Sequence, residues 1–265
     1  MKTWTNVNGN THTRPWRTTD TEQARGRPGD SSITFELKYP ECRHFELTMD
    51  LAPPDWLVEL RHMRGRVLYD EQLRPSFRRP DGSFDDPDPA DLSAYHIIAR
   101  AGRCIVGCAR IVSSENIQSG FIASTLGMQQ LQKIFDIVGT HRQEVCEASR
   151  WVVVPEFRGE LGRRIVAASL AVGRWLSIRI AFALAATCRK QDLALIRMGA
   201  RPVNGLPLFA TPISYDKCCL LYFDLMHPSP GMGKQISEMT EALGLGHLIC
   251  PSESCPATIV RTEDF

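Results

Sequence analysis

Residues 144–178 read EVCEASRWVVVPEFRGELGRRIVAASLAVGRWLSI, and this stretch decides the fold. Glu144 to Val154 is valine-rich and has the length of a strand. Pro155-Glu-Phe-Arg-Gly is a turn. Leu161 to Ile178 places Ile165, Ala168, Val172 and Leu176 at helical spacing, so one face of a long helix packs on a sheet. Together they predict a strand–turn–helix unit, with the helix N-terminus aimed past the end of the strand. The turn Arg158-Gly159-Glu160-Leu161-Gly162 lacks the Gly-Lys-Ser/Thr of a nucleotide-binding loop and is a poor dinucleotide fingerprint.

Downstream, Ile180–Cys188 reads as a buried strand and Lys190–Met198 as a short helix ended by Gly199. Strands follow near 206–213 and 217–225, then a helix over Gln235–Leu243. Upstream, Leu126–Val138 reads as a helix, and Tyr95–Arg100 with Cys104–Val112 as a hairpin. Pro53-Pro54-Asp55 opens a helix that runs to about Tyr69, with Asp55 as its N-cap. Residues 33–49 hold one or two short strands, and 75–92 form a loop rich in proline and aspartate. The order predicts an α/β (α+β) fold, a mixed sheet with helices on both faces. It divides into a polar N-terminal arm over 1–45, a central domain over 46–228, and a C-terminal helix with a flexible tail over 229–265.

Of 265 residues, 31 are Lys or Arg and 30 are Asp or Glu, for a net charge of +1. That excludes a nucleic-acid binder working by bulk positive charge. The nine cysteines are irregularly spaced and predict reduced thiols with no metal site. The N-terminus has no apolar signal region, and Arg174 and Arg179 interrupt the longest apolar stretch, Ile165–Ala186. A cytoplasmic protein with no transmembrane segment is expected.

Several charges stand where apolar residues belong. Arg64 falls on the stripe of Leu57, Leu60, Val67 and Leu68. Arg110 shares a strand face with Val106, Cys108 and Val112. Glu147 and Arg150 open the valine strand, on opposite faces under strict alternation, or in one cleft if the strand bulges. A buried guanidinium needs a carboxylate. Residues 81–91 supply five aspartates and no basic residue. Asp85 and Asp88 are therefore expected to pair with Arg64 and Arg110 and to fix this loop over a pocket.

These residues resemble a family. Arg64-Gly-Arg-Val67-Leu68, Asp85-x-x-Asp88, Val106-Gly-Cys-Ala-Arg110 and Glu147-Ala-Ser149-Arg150-Trp151 are similar, in order, to four motifs of the acyl-homoserine lactone synthases. Val154-Pro-Glu-Phe-Arg158, Cys188-Arg-Lys-Gln-Asp-Leu, Met198-Gly-Ala-Arg-Pro-Val and Leu221-Tyr-Phe-Asp224 resemble the long-chain N-acyl amino acid synthases. The resemblance spans about residues 45–228. It implies the GNAT fold, with a mixed sheet splayed open at its centre. It also implies an acyltransferase whose donor is the acyl-phosphopantetheine of an acyl carrier protein, with no tightly bound cofactor and no metal. Leu68 and Arg74 stand where lactone synthases carry aromatics of the S-adenosylmethionine pocket, which favours an amino acid acceptor.

On this reading Glu147 takes the proton of the attacking amine, beside Ser149. Arg150 orients Glu147 or the aspartates, or binds the acceptor carboxylate. A backbone N–H of Trp151, Val152 or Val153 receives the oxyanion. Arg158, Gly159, Gly162, Arg163 and Arg164 meet the pantetheine arm or the carrier. Val152, Val154, Ile165, Phe182 and Leu184 line the acyl pocket. Residues 158–190 hold seven basic residues against Glu160 alone, which reads as a docking face for an acidic carrier. Cys146 is expected to point away from Glu147. The alternatives are a lactone synthase using S-adenosylmethionine, an acyl-CoA-dependent GNAT enzyme, and a non-catalytic carrier-binding relative.

Overall fold

The computed structural model describes residues 33–48, 51–71, 74–211 and 214–245. In chain order these form β1 (Ile33–Lys38), α1 (Asp55–Asp70), β2 (Tyr95–Ala101), β3 (Cys104–Val112), α2 (Phe121–Leu126), α3 (Met128–Val138), β4 (Val145–Val153), α4 (Glu160–Trp175), β5 (Ile180–Ala186), α5 (Gln191–Arg197), β6 (Arg201–Pro202), β7 (Phe209–Thr211), β8 (Ser214–Asp224) and α6 (Pro230–Ala242). The sheet order is β1-β2-β3-β4-β5-β8-β6, with β7 also on β8. Neighbours are antiparallel except β4 and β5.

That parallel pair is short. It runs from Val145↔Ile180 to Glu147↔Phe182 and stops. Beyond it β4 stays with β3 as far as Val153, while β5 stays with β8 as far as Ala186. The two halves of the sheet therefore part at Glu147. The edge opposite β3 is irregular as well: Arg110 faces Ser149, but Cys108 faces Val152. One extra residue is accommodated by Arg150, whose φ is +56°. A bulge of this kind bends and twists its strand.

Helices α4 and α6 cover one face. Val166, Leu170 and Ile236 pack there with Ile97, Ala109, Ile111 and Phe223. On the other face, Leu57 and Leu60 of α1 cover Ile98 and Cys108. Leu131 and Phe135 of α3 cover Val145, Phe182 and Leu220. Each buried aliphatic or aromatic side chain contributes about 1.5–3 kcal/mol, and these layers fix the two sides of the opening in the sheet.

The structure corrects the predicted boundaries. β1 pairs with β2 along its whole length, so the domain begins at Ile33 rather than near 46. Met232, Ile236 and Met239 of α6 are buried in the α4 layer, so this helix belongs to the core. Asp55 is the first residue of α1, not its cap; Pro54 takes the cap position without a side-chain bond. Helix α2 was not predicted, because Ser113–Gly120 before it is polar and the helix itself has only six residues. The predicted arm over 1–32 and the tail from 246 lie outside the described residues. Among the described residues no helix is long and apolar enough to cross a membrane.

Candidate active site

Arg64 sits four residues after Leu60 on the buried stripe of α1 and is fully buried. Its guanidinium forks onto Asp91, Nη2 to Oδ2 at 2.7 Å and Nη1 to Oδ1 at 3.2 Å. Nη2 also donates to the Asp86 carbonyl at 2.9 Å, and Nε lies 3.0 Å from Asp86 Oδ2. The aspartate loop reaches Arg64 because residue 65 is glycine. A Cβ there would stand 2.8 Å from the Asp85 backbone nitrogen.

Arg110, also fully buried, is the hub of the network. Nη1 lies 2.8 Å from Asp88 Oδ1 and 3.1 Å from Asp91 Oδ1. Nη2 meets Glu147 Oε1 at 3.3 Å, and Nε meets Ser149 Oγ at 3.3 Å. The bulge turns Arg150 onto the same wall, where Nη2 pairs with Asp88 and lies 3.6 Å from Asp86 Oδ1. Its guanidinium covers the Phe121 ring at 5.6 Å. Glu147 is fully buried, and its Oε2 accepts the Ile122 N–H at 2.7 Å at the start of α2. Gly120 leaves room for that contact, since a Cβ there would lie 2.5 Å from Oε2.

The wall is charge-matched, and its pKa values follow. Burial alone would raise the Asp88 carboxyl, but Arg110 and Arg150 outweigh it and bring it down to about 2. Asp91 behaves likewise against Arg64 and Arg110 and falls well below the usual carboxylate range. His96 lies behind it, buried, with Nε2 donating to the Asp91 carbonyl at 2.8 Å. Burial pushes this imidazole down to about 4, against the pull of the Asp91 charge.

Asp85 does not join this wall, contrary to expectation. It pairs with Arg79 at the surface, and its N–H donates to the Phe77 carbonyl at 2.9 Å. The neighbouring Asp86 faces inward, as successive residues of extended backbone do. Asp86 and Asp91 are the partners of Arg64, while Asp88 caps the 3-10 turn Pro89–Ser93 through the Ala90 N–H at 3.0 Å.

A cavity of about 930 Å³ fills the opening between β4 and β5. Glu147, Ser149 and Arg150 form part of its lining, with Trp151, Val152 and Val153 along the freed length of β4. Ile165 and Leu184 also line it, but Phe182 and Val154 do not. Phe182 belongs to the last rung of the β4–β5 pair and packs on Phe135 of α3, at 5.8 Å between ring centroids. Leu184 lies past the point where the strands part. Val154 packs into the apolar layers.

The mouth is basic. Arg158, Gly159, Gly162 and Arg163 contribute to it as predicted positions, and Arg74, Arg189 and Arg197 join them. Glu71 and Glu147 are the acidic lining residues. Arg164 turns away, its guanidinium 4.8 Å from the Phe35 ring centroid. Arg179 binds Glu144 and the Gly139 carbonyl before β5. The seven basic residues of 158–190 therefore do not form one face. Cys146 faces the α4 layer, where burial, with Glu147 adding, pushes its thiol up. Asp86, Asp91, Ile122, Glu71 and Arg197 are site residues that sequence reasoning missed; only the density of aspartates in 81–91 signalled the first two. Among the described residues no cluster of histidine, cysteine and carboxylate side chains is arranged to hold a metal.

Residues 68–168 match the acetyltransferase (GNAT) domain family. Over that stretch the chain is similar to GNAT acetyltransferase domains. None of the curated proteins matches its sequence. Among solved structures, it is similar to BjaI, a CoA-dependent acyl-homoserine lactone synthase, at 18% identity over 82% of this chain and 92% of that one, with a TM-score of 0.53. It is similar to FeeM, an N-acyl amino acid synthase from uncultured soil microbes, at 10% identity over 78% and 95%, with a TM-score of 0.51. These likenesses place the open mixed sheet of this chain in the GNAT fold.

Proposed function

We propose that this GNAT protein is an N-acyltransferase that moves a fatty acyl group from an acyl carrier protein thioester to the α-amine of an amino acid. The observation that carries the reading is the composite cavity. Its apolar length lies between the parted strands, its inner wall holds Glu147 and Arg150, and its mouth is lined by arginines.

The acceptor amine must lose a proton before it attacks the thioester carbon. Glu147 is held in place by one bond to each oxygen, from Arg110 and from the Ile122 N–H. Each oxygen keeps a further lone pair, so the carboxylate can take that proton directly or through a water. Arg150 engages the aspartates through Nη2 and lines the cavity, which places its guanidinium on the wall where it can meet the acceptor carboxylate. The backbone of Trp151–Val153 borders the opening, where an N–H can meet the oxyanion. The C–N bond forms, the C–S bond breaks, and the thiolate leaves with a proton. Leu184, Val152 and Ile165 supply apolar surface for the chain.

The test uses purified protein, acyl carrier protein and CoA thioesters, each of the common amino acids, and S-adenosylmethionine. Mass spectrometry should find N-acyl amino acids formed from the carrier thioester. Acyl lactones from S-adenosylmethionine would overturn the acceptor, and product from acyl-CoA alone would overturn the donor. Glu147→Gln should lower turnover by about 10²–10⁴ with an unchanged fold. Undiminished turnover removes Glu147 from proton transfer.

A further inference from the structure

Glu71 ends α1, and its N–H donates to the Val67 carbonyl at 3.2 Å. Its side chain crosses the cavity mouth. One carboxylate oxygen pairs with Arg158, on the turn before α4. The other lies 3.5 Å from Nη1 of Arg189, just beyond β5. Arg189 Nη2 also donates to the Glu71 carbonyl at 2.6 Å. One residue thus holds two arginines from separate parts of the chain. The other acidic lining residue, Glu147, is committed to Arg110 on the inner wall. An internal carboxylate between two arginines, in a mouth that also presents Arg163 and Arg197, marks an anion site filled from within.

We propose that Arg158 and Arg189 form a phosphate subsite for the donor, and that Glu71 occupies it until the donor's phosphate displaces the carboxylate. The proposal rests on the thioester-donor reading and adds to it a residue that sets donor affinity. The side chains of Arg158 and Arg189 are 47% and 48% exposed against 15% for Glu71, so a second anion can reach the guanidiniums from solvent while Glu71 holds them from within. A phosphate monoester brings more charge and three acceptor oxygens to the same two guanidinium forks. Both guanidiniums already meet the one Glu71 carboxylate, so they are close enough to share one anion. A donor without phosphate has nothing to exchange for Glu71. The same chemistry reaches the site from the phosphate of a pantetheine arm or from the diphosphate of coenzyme A.

Titration calorimetry at low salt decides it, with coenzyme A, 4′-phosphopantetheine and pantetheine as probes. Glu71→Gln, nearly isosteric, should bind phosphate-bearing probes about fivefold to tenfold tighter than wild type, with pantetheine unchanged. Glu71→Ala, a second variant, should show the same sign. The gain should shrink at high salt and vanish in an Arg158→Ala, Arg189→Ala background. A gain with both phosphate probes assigns the subsite to the pantetheine phosphate; a gain with coenzyme A alone assigns it to the diphosphate. Equal or weaker binding of phosphate probes by both Glu71 variants overturns the proposal. If the arginine variants still weaken binding in that case, the donor reading stands without it. No binding of any probe by any variant overturns both.

Discussion

The wall beneath α1 and the mouth of the cavity are built from the same residue type and behave in opposite ways. In the wall, Arg64, Arg110 and Arg150 meet Asp86, Asp88, Asp91 and Glu147 at named atoms, and almost none of that surface reaches water. At the mouth, Arg158, Arg163, Arg189 and Arg197 are exposed and Glu71 is the acid among them. Desolvation explains the difference. A guanidinium removed from water must find its charge partner inside the protein, so the wall is matched and fixed. An exposed guanidinium keeps part of its hydration, so four arginines can stand there around a single acid at little cost.

The largest effect expected from that contrast is in the wall. Arg110→Met leaves Asp88, Asp91 and Glu147 facing one another without their shared cation. It should destabilise the fold by about 3–5 kcal/mol in urea unfolding. A cost below about 1 kcal/mol would mean that the wall is hydrated and that the contrast with the mouth is false.

The pH dependence comes next. His96 has a folded value of about 4 against 6.5 in the unfolded chain. Between those values the unfolded chain binds the extra proton, so stability is full above about pH 6.5 and falls as pH drops towards 4, by roughly 3 kcal/mol at most. Asp88 adds a later stage. Its folded value of about 2 lies below the usual 3.8, so its contribution is complete above 3.8 and is lost as pH falls towards 2. Unfolding free energies measured from pH 8 to 3 should show the first slope, and His96→Gln should flatten it. Glu71→Gln should leave it untouched, because Glu71 lies outside the wall. A slope that survives His96→Gln assigns it elsewhere.

Gly65 tests the seam between α1 and the aspartate loop. An added Cβ would meet three Asp85 backbone atoms at 2.8–3.1 Å, and backbone cannot step aside as a side-chain tip can. Gly65→Ala should cost about 1–3 kcal/mol. Helix propensity alone favours alanine by about 1 kcal/mol. A stabilised variant would therefore show that the loop does not press on the helix.

The legibility of the sequence divides along the same line. Periodicity placed Arg64 and Arg110 on buried faces, and burial then required carboxylates. The sequence could not say which of five aspartates would supply them. Asp85 and Asp86 are adjacent, and the local turn sends one to Arg79 and the other to Arg64. The valine strand, the long helix and the hairpin were legible because each carries a strong repeat. Helix α2 has six residues and no repeat to read, and with it went the Ile122 N–H that holds Glu147. Phe182 was misplaced because it shares a face with Leu184. The end of strand pairing, which separates a core position from a cavity position, leaves no mark in composition. The basic run of 158–190 looked like one surface, but a 16-residue helix carries its two ends about 24 Å apart.

The smallest effect on stability, and the one that bears most directly on the mouth, is charge reversal at Arg163. This residue is exposed near the start of α4 and lines the cavity, so Arg163→Glu should change stability by no more than about 0.5 kcal/mol. Its kinetic signature should be a KM for the carrier-protein thioester raised about tenfold, steepest at low salt, with kcat preserved. The thioester of pantetheine lacking both phosphate and carrier should show no change. The neighbouring Arg164 supplies the control, since its guanidinium packs over Phe35 instead of facing the cavity. Arg164→Glu should cost about 0.5–1 kcal/mol of stability and leave KM nearly unchanged. Two adjacent arginines on one helix would then separate into a packing residue and a binding residue. Equal KM effects from both would mean that the donor meets the broad basic surface of α4, and that the mouth has no privileged role in recognising it.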